Sequence, residues 1–289
     1  MLFFQSLISG ILIGGVYALA AMGMSLVFGV MNISNFAHGE LMMLGMYMAY
    51  YLFTLLNIDP FLSLLIIMPL TFVFGYVIEK TMIDRVMDHP SENQILLTVG
   101  FGLIMSNSAL LAFTSDPKIL TTSYSSSSIA LPGGISVSIP MLLSFLVTCI
   151  LTAALYLFLA KSRTGMALRA TSQNREAAQL MGINVSRMSA IAFGTGTLLA
   201  ASAGAMIAQT YYIDPFAGHI FLLKSFTICV LGGLGSVIGA GIGGIIIGLA
   251  EAMSSAYLSS DWKDVLVFIL FLAILLLRPQ GLFGKKGEQ

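Results

Sequence analysis

The chain has 289 residues, of which 57% are hydrophobic and only 9% carry a charged side chain. Soluble domains carry roughly 25% charged residues, so this chain has too few charges to cover a globular surface in water. Its formal net charge is zero, which gives no electrostatic reason for a nucleic-acid partner. The composition therefore predicts an integral membrane protein, and the length suits a single transmembrane domain over residues 1–289.

Continuous apolar runs recur along the chain, and a membrane helix needs about 20 mostly apolar residues. These runs do not alternate as the strands of a membrane β-barrel do. The pattern predicts an all-α, polytopic bundle of about 8–10 transmembrane helices, some of them short or discontinuous. The predicted spans cover residues 7–27, 41–56, 61–77, 95–113, 140–159, 188–209, 225–253 and 265–277.

The loops between these spans differ in charge. Basic side chains cluster in residues 160–187 and near the C-terminus: Lys161, Arg163, Arg169, Arg175, Arg187, Arg278, Lys285 and Lys286. Basic residues concentrate in cytoplasmic loops, so both segments are predicted to be cytoplasmic. Counting spans then makes the Ser-rich loop 115–138 external, together with residues 211–224. The segment 225–257 is short for two full crossings, so we expect shortened or broken helices there.

A glycine-rich run, "LGGLGSVIGAGIGGIIIG", occupies residues 231–248. Glycines spaced by four let helix backbones approach closely in lipid, and this interpretation fits Gly239, Gly243, Gly244 and Gly248. The other interpretation is an unwound segment that lines a transport pathway, and it fits Gly232, Gly233 and Gly235. No G-x-x-x-x-G-K-[ST] sequence occurs in the chain, so ATP binding through a P-loop is excluded.

The basic loop contains a short predicted helix over residues 175–181. Asn174 suits its N-cap and Gly182 suits the residue after its end. Ala177, Leu180 and Met181 form a small apolar face. Such a helix can lie on the membrane surface or insert into a groove of a partner protein, and the residues alone leave both open. The candidate contact residues are Arg175, Glu176, Ala177, Ala178, Leu180 and Gly182.

The stretch "NISNFAHGE", residues 32–40, places polar and charged side chains between two apolar runs. One interpretation is a turn at the membrane surface, where Asn35 caps a helix that begins near His38 and Glu40 lies in its first turn. The other is a break in a discontinuous helix, where Asn35 and His38 hydrogen-bond to a passing zwitterion and Gly39 permits close backbone approach. No partnered nucleophile or metal-ligand set accompanies these residues, so no catalytic or metal-binding residue is predicted.

Four stretches together resemble one protein family. "EAAQLMG", residues 176–182, is similar to the E-A-A-x-x-x-G signature of bacterial ABC-importer permeases. "MNISNFAHGELMMLGMY" (31–47), "VLGGLGSVIGAGIGG" (230–244) and "LRPQGLFG" (277–284) resemble the branched-chain amino acid permeases of the LivH type. The resemblance covers nearly the whole chain, and the combination is more specific than any single motif.

The resemblance implies a permease subunit of an ATP-driven importer of branched-chain or similar hydrophobic amino acids, in the bacterial inner membrane. Its partners would be a second related permease, two cytoplasmic ATP-binding subunits and an external substrate-binding protein. ATP and magnesium would belong to the ATPase subunits, so this chain is expected to bind no cofactor. The 160–187 loop would hold a coupling helix, and Asn35, His38, Gly39 and Glu40 would face the pathway.

Other functions fit the sequence less well. Similar permeases also serve urea, short amides and other amino acids. A stand-alone secondary transporter or channel would need no ATPase, but it would leave the E-A-A-x-x-x-G loop unexplained. A membrane enzyme would need paired catalytic residues at one depth, and the sequence has no evident pair.

Overall fold

The computed structural model describes residues 2–87, 89–131, 134–259, 262–278 and 280–284. Lys285 and Lys286, which support the predicted orientation, lie outside the described residues, as do Pro132 and Gly133 of the Ser-rich loop. The helices are α1 Leu2–Met31, α2 His38–Leu56, α3 Pro60–Ile78, α4 Ser91–Phe113, α5 Ile139–Lys161, α6 Arg163–Gln173, α7 Arg175–Leu180, α8 Val185–Ile207, α9 Ala217–Gly232, α10 Val237–Tyr257 and α11 Trp262–Leu277. A π-helical turn Glu79–Ile83 and a 3-10 turn Asp84–Val86 extend α3.

Seven of these helices are long and apolar enough to cross a membrane, counting α3 with its extension as one span. Two further apolar segments are shorter than 18 residues: the helix α9 and the part of α11 from Val265 to Leu277. The prediction of an all-α polytopic bundle with some short spans is therefore confirmed. The Ser-rich loop adds one small antiparallel hairpin that the sequence analysis did not predict, with β1 Ser128–Leu131 paired to β2 Ile135–Ser138.

Side-chain caps fix where five helices begin. In each case an Asp, Asn or Ser oxygen accepts a hydrogen bond from a backbone N–H of the first turn, which would otherwise lack a partner. The caps are Asp59 for α3, Ser162 for α6, Asn174 for α7, Asn184 for α8 and Ser236 for α10. Because these caps are encoded locally, the starts of α3 and α8 lie within three residues of the predicted spans 61–77 and 188–209. The predicted run 225–253 is not one helix, because it divides between α9 and α10.

The first helix forms the centre of the bundle. In the most apolar stretch of α1, 83% of the residues are buried, and α10 packs antiparallel to α1. A Cβ atom added at Gly244 would overlap the backbone of Ala18, and one added at Gly248 would overlap that of Gly14. Small residues on both helices thus bring the two backbones together, which favours packing in lipid, where no hydrophobic force joins helices.

The N-terminal end of α1 lies on the same side of the bundle as the Ser-rich loop. The Gln5 amide nitrogen donates to the Ser136 carbonyl at 2.6 Å, and the Ser136 N–H donates to the Gln5 side-chain oxygen at 2.9 Å. We call this side the outer side and the side of the 160–187 loop the inner side, following the predicted orientation.

The prediction that residues 211–224 form an external loop is wrong for its second half. The helix α9 begins at Ala217, and Lys224 lies inside the bundle with only 4% of its surface exposed. The external assignment came from counting spans, which placed the start of the next membrane segment at residue 225. The partner of Lys224, Glu251, lies 27 positions away in the sequence, so the burial of Lys224 was not apparent.

Candidate functional site

The stretch around residues 32–40 folds back into the bundle. The His38 Nε2 atom lies 2.9 Å from the carbonyl oxygen of Ala20, which precedes the inner end of α1 by eleven residues, or roughly 16 Å of helix. Midway along α2, the Tyr47 ring stacks on Phe113 at the outer end of α4, with ring centroids 4.5 Å apart. The helix α2 therefore starts well inside the bundle and runs to the outer side.

Asn35 and His38 are both enclosed by protein. The Asn35 Oδ1 atom accepts a hydrogen bond from the Ala37 N–H at 3.0 Å, so the side chain stabilises the turn that precedes α2. Because a carbonyl can only accept, His38 must carry its proton on Nε2 to bond Ala20. The His38 Nδ1 atom has no hydrogen-bond partner among the described residues.

Glu40 lies two residues after His38 and is 2% exposed. One carboxylate oxygen is 3.8 Å from Nδ1 of His219, whose side chain is half exposed at the start of α9. The other carboxylate oxygen has no hydrogen-bond partner among the described residues and lies beside Gly102 of α4. Gly39 contacts the backbone of Gly218 so closely that a Cβ at either position would overlap its neighbour.

The second predicted break lies between α9 and α10. Gly233 and Gly235 have φ angles of +96° and +81°, which L side chains rarely adopt, and they reverse the chain between the two helices. The N–H groups of Leu282 and Phe283 donate to the carbonyls of Leu231 and Gly232 at 2.8 and 3.1 Å. The closing "LRPQGLFG" motif thus satisfies the last carbonyls of α9, a role that the sequence analysis did not foresee.

The seven residues predicted for a pathway do not meet at one cavity. Asn35, His38, Gly39 and Glu40 surround the start of α2, whereas Gly232, Gly233 and Gly235 form the turn before α10. Only Gly235 is among the described residues that line the bundle's large cavity of about 750 Å³. The four glycines predicted for helix packing, Gly239, Gly243, Gly244 and Gly248, all have backbone of α1 or α9 within 3 Å of an added Cβ.

The short helix α7 projects from the inner side. The Asn174 Oδ1 atom accepts from the Ala177 N–H at 2.8 Å, and the Ile183 N–H closes the other end on the Ala178 carbonyl at 3.0 Å. Gly182 has a φ of +80°, as expected for the residue that follows a helix. Leu180 and Met181 are 88% and 83% exposed, so an apolar pair points away from the rest of the chain.

The chain matches the family model described as "Branched-chain amino acid transport system / permease component" over residues 6–275. The chain belongs to this permease family. It is 34% identical over 295 residues to the high-affinity branched-chain amino acid transport system permease protein LivH of Escherichia coli K12, covering 98% of this chain and 96% of that protein. It is 33% identical to BraD of Pseudomonas aeruginosa, with the same coverage. A probable LivH of Methanocaldococcus jannaschii is 30% identical over 95% of this chain and 90% of its own length.

The permease is thus a multi-pass protein of the bacterial inner membrane, as the sequence predicted. One polar cluster in it escaped the sequence analysis. Lys224 of α9 and Glu251 of α10 form a buried ion pair, and the hydroxyls of Tyr17 and Tyr211 lie 3.3 and 3.4 Å from the same Glu251 oxygen. The available signal was the presence of one base and one acid on either side of the glycine run, since charges within a membrane usually pair.

Proposed function

We propose that this permease forms the membrane pathway of an ATP-driven importer for branched-chain or similar hydrophobic amino acids. An external binding protein would deliver the amino acid, and two cytoplasmic ATPases would drive transport through this chain and a second, related permease. The exposed Leu180–Met181 pair on α7 carries the proposal. Two large apolar side chains at the end of a six-residue helix on the basic side suit insertion into a groove of a partner protein.

The position of α7 allows its movement to reach the membrane helices. Only residues 181–184 separate it from α8, which crosses the whole bundle. Near the inner end of α8, the Ser186 hydroxyl donates to Asp84 at 2.8 Å, and Lys80 contacts both of these side chains. Through these contacts α3 would follow α8, so docking at α7 would shift two spans together and change access to the pathway.

The polar break at residues 35–40 stays a predicted part of that pathway. Its support is a buried imidazole and a buried carboxylate that each keep one atom without a hydrogen-bond partner among the described residues. A polar atom without a hydrogen-bond partner costs free energy inside a membrane. Such a cost is expected where the atom binds a polar solute in another conformation. In the present conformation protein encloses both groups.

The deciding experiment is a purification of the tagged chain from its native membrane in mild detergent, followed by mass spectrometry. The expected result is recovery of two ATPases with P-loops and a second permease. The purified complex is then placed in liposomes with the binding protein, where leucine uptake should require ATP. Recovery of this chain alone, even after gentle crosslinking, would contradict the proposal and favour a stand-alone transporter.

A further inference from the structure

A cavity of about 750 Å³ lies between α1, α5 and α10, and the helix α6 borders its inner end. We call it the α1–α5–α10 groove. Its lining follows α1 from Gly15, near the middle of that helix, to Val30 at the inner end. This stretch of α1 is roughly 22 Å long, and a bilayer with its headgroups is roughly 40–45 Å thick. The groove therefore has the depth of one lipid leaflet.

The groove is closed at its deep end and open along its side. A Cβ added at Gly15 would overlap the Phe145 ring, so this ring closes the end at the middle of the bundle. The side chains of Tyr156 and Ile238 line the groove and are 62% and 64% exposed. Of the seven long spans, α5 is the least buried, with 17% of its most apolar stretch inside the bundle. A lipid can therefore enter the groove from the side.

The walls of the groove are apolar over most of its length. Aliphatic and small residues dominate them, among them Ala18, Met22, Leu26, Leu159, Gly241 and Ile245. Among the described residues that line the groove, none is Asp or Glu, and Arg169 alone carries a formal charge. In the deep half, the hydroxyls of Thr148 and Thr152 are the polar side-chain groups. Such walls suit a hydrocarbon chain, because they offer no partner for a deeply placed charge.

The inner mouth of the groove has the opposite character. Arg169 and Ser172 of α6 line it, and both are exposed. The Arg169 guanidinium makes one long contact, 3.5 Å to the Ala160 carbonyl, so most of its N–H groups remain available to a ligand. Guanidinium groups bind phosphate oxygens, and basic pockets between membrane helices on the cytoplasmic side bind anionic headgroups. Tyr156 lies five residues before the inner end of α5, near the headgroup level where tyrosines are enriched.

We propose that the α1–α5–α10 groove binds one anionic phospholipid of the inner leaflet. An acyl chain lies along the apolar walls, and the phosphate binds Arg169. The lipid fills the space between α5 and the closely packed pair of α1 and α10. It also reaches α6, which a single residue, Asn174, separates from α7. The groove is separate from the 35–40 break, because His38 contacts α1 at Ala20, which does not line the groove.

The first test measures which lipid binds and whether Arg169 selects it. The protein is purified with the subunits that accompany it, delipidated, and studied by native mass spectrometry with phosphatidylglycerol or phosphatidylethanolamine of the same acyl chains. The parent protein should bind phosphatidylglycerol at the lower concentration. Arg169→Gln should weaken that binding about fivefold, which is the contribution of one basic side chain beside anionic lipid.

Arg163→Gln is the matched control, because this exposed arginine of the same helix does not line the groove. It should bind phosphatidylglycerol like the parent protein. Equal binding of the two lipids by the parent protein would overturn the inference. The same holds for Arg169→Gln and Arg163→Gln variants that bind phosphatidylglycerol equally well.

The second test locates the lipid. The protein is placed in nanodiscs of phosphatidylethanolamine that contain a phosphatidylglycerol with a photoactivatable diazirine in its acyl chain. Mass spectrometry then maps the labelled peptides. Labels should concentrate on residues 15–30 and 145–159, and they should be several-fold rarer on the exposed inner half of α3, at Val73 and Val77. Equal labelling of both regions, or crosslinks from the groove to a partner subunit in place of lipid, would contradict the inference.

A pair of substitutions on α5 separates the groove from the general lipid surface. Thr152 lines the groove, whereas Ile150 does not and is 66% exposed. Thr152→Trp should lower the labelling of residues 15–30 several-fold, because a large ring would occupy the space of the acyl chain. Ile150→Trp should leave this labelling unchanged, because its ring points away from the groove. Labelling that is the same in both variants would show that the lipid lies elsewhere.

Discussion

Lys224 and Glu251 form a bidentate ion pair inside the bundle, with the lysine nitrogen 2.9 Å from each carboxylate oxygen. Their side chains are 5% and 7% exposed, so water screens the pair very little. Removal of one partner would leave an uncompensated charge, which costs about 3–5 kcal/mol in buried pairs. Lys224→Met or Glu251→Gln alone should therefore lower the free energy of unfolding by about this amount.

The double variant Lys224→Met/Glu251→Gln should recover most of the loss, because no charge remains and the Gln oxygen still accepts from Tyr17 and Tyr211. Thermal unfolding in detergent measures all three variants. Lys80→Met is the matched control, since its ion pair with Asp84 is about 30% exposed and should contribute less than about 1 kcal/mol. If both single variants unfold like the parent, the pair contributes nothing to stability.

A second prediction concerns the contact between the starts of α2 and α9. Gly39→Ala would drive a methyl group into the backbone of Gly218, and such overpacking costs about 1–3 kcal/mol. The measurement is the unfolding temperature in detergent. Gly100→Ala is the control, because an added Cβ there meets no atom within 4 Å and Ala favours the helix α4. A Gly39→Ala protein as stable as Gly100→Ala would show that the two helix starts are not tightly packed.

The coupling role of α7 predicts a loss of transport without a loss of insertion. Glu176→Lys reverses the charge in the first turn, and Gly182→Trp forces a bulky residue into a φ of +80°. Leu180→Ser removes half of the exposed apolar pair. ATP-dependent leucine uptake should fall to background in the first two variants and several-fold in the third.

The control for Leu180→Ser is Leu111→Ser, at an equally exposed leucine on α4, far from the inner side. It should transport like the parent protein. Membrane fractionation with an antibody to a tag confirms that each variant is inserted. Normal uptake by Glu176→Lys or Gly182→Trp would remove α7 from the coupling mechanism.

Besides the Gln5–Ser136 contacts, a tyrosine ties the Ser-rich loop to the membrane helices. The Tyr124 hydroxyl donates to Asp59 at 2.7 Å, and Asp59 also caps α3. Burial of the phenol and its hydrogen bond to Asp59 raise the pKa of Tyr124 well above its usual range. A raised pKa in the folded state means that the contact persists below the ordinary tyrosine value of about 10 and is lost only at higher pH.

Tyr124→Phe should cost about 1 kcal/mol locally and speed trypsin cleavage after Lys118 in the same loop. Raising the pH from 7 to 9 should not mimic the variant, because the phenol keeps its proton over this range. Tyr212→Phe is the control, since this tyrosine is 65% exposed on the same side. Cleavage rates that are equal in the two variants would show that the Tyr124 contact does not hold the loop.

Features that depend on neighbouring residues were predictable from the sequence. The predicted helix over 175–181 became α7, because Asn174 and Gly182 determine its ends locally. The predicted break at Gly232–Gly235 also occurs, because two of these glycines must adopt positive φ angles. Whether the predicted pathway residues serve transport stays a prediction.

Features that depend on distant partners were not predictable. Lys224 looked like a loop residue because its partner, Glu251, follows 27 positions later. His219 contacts Glu40, which belongs to a helix near the other end of the chain. The His38 side chain likewise bonds the Ala20 carbonyl, 18 positions earlier, and nothing in the local sequence indicates that contact.

The central position of α1 has a consequence for biogenesis. Tyr17 and Glu251, which meet in the folded bundle, are 234 positions apart in the chain. At 5–20 residues per second, a ribosome needs roughly 12 to 47 s to synthesise the intervening segment. During that interval the small-residue face of α1 has no α10 to cover it. The close contact between the first helix and the glycine-rich helix can therefore form only late in synthesis.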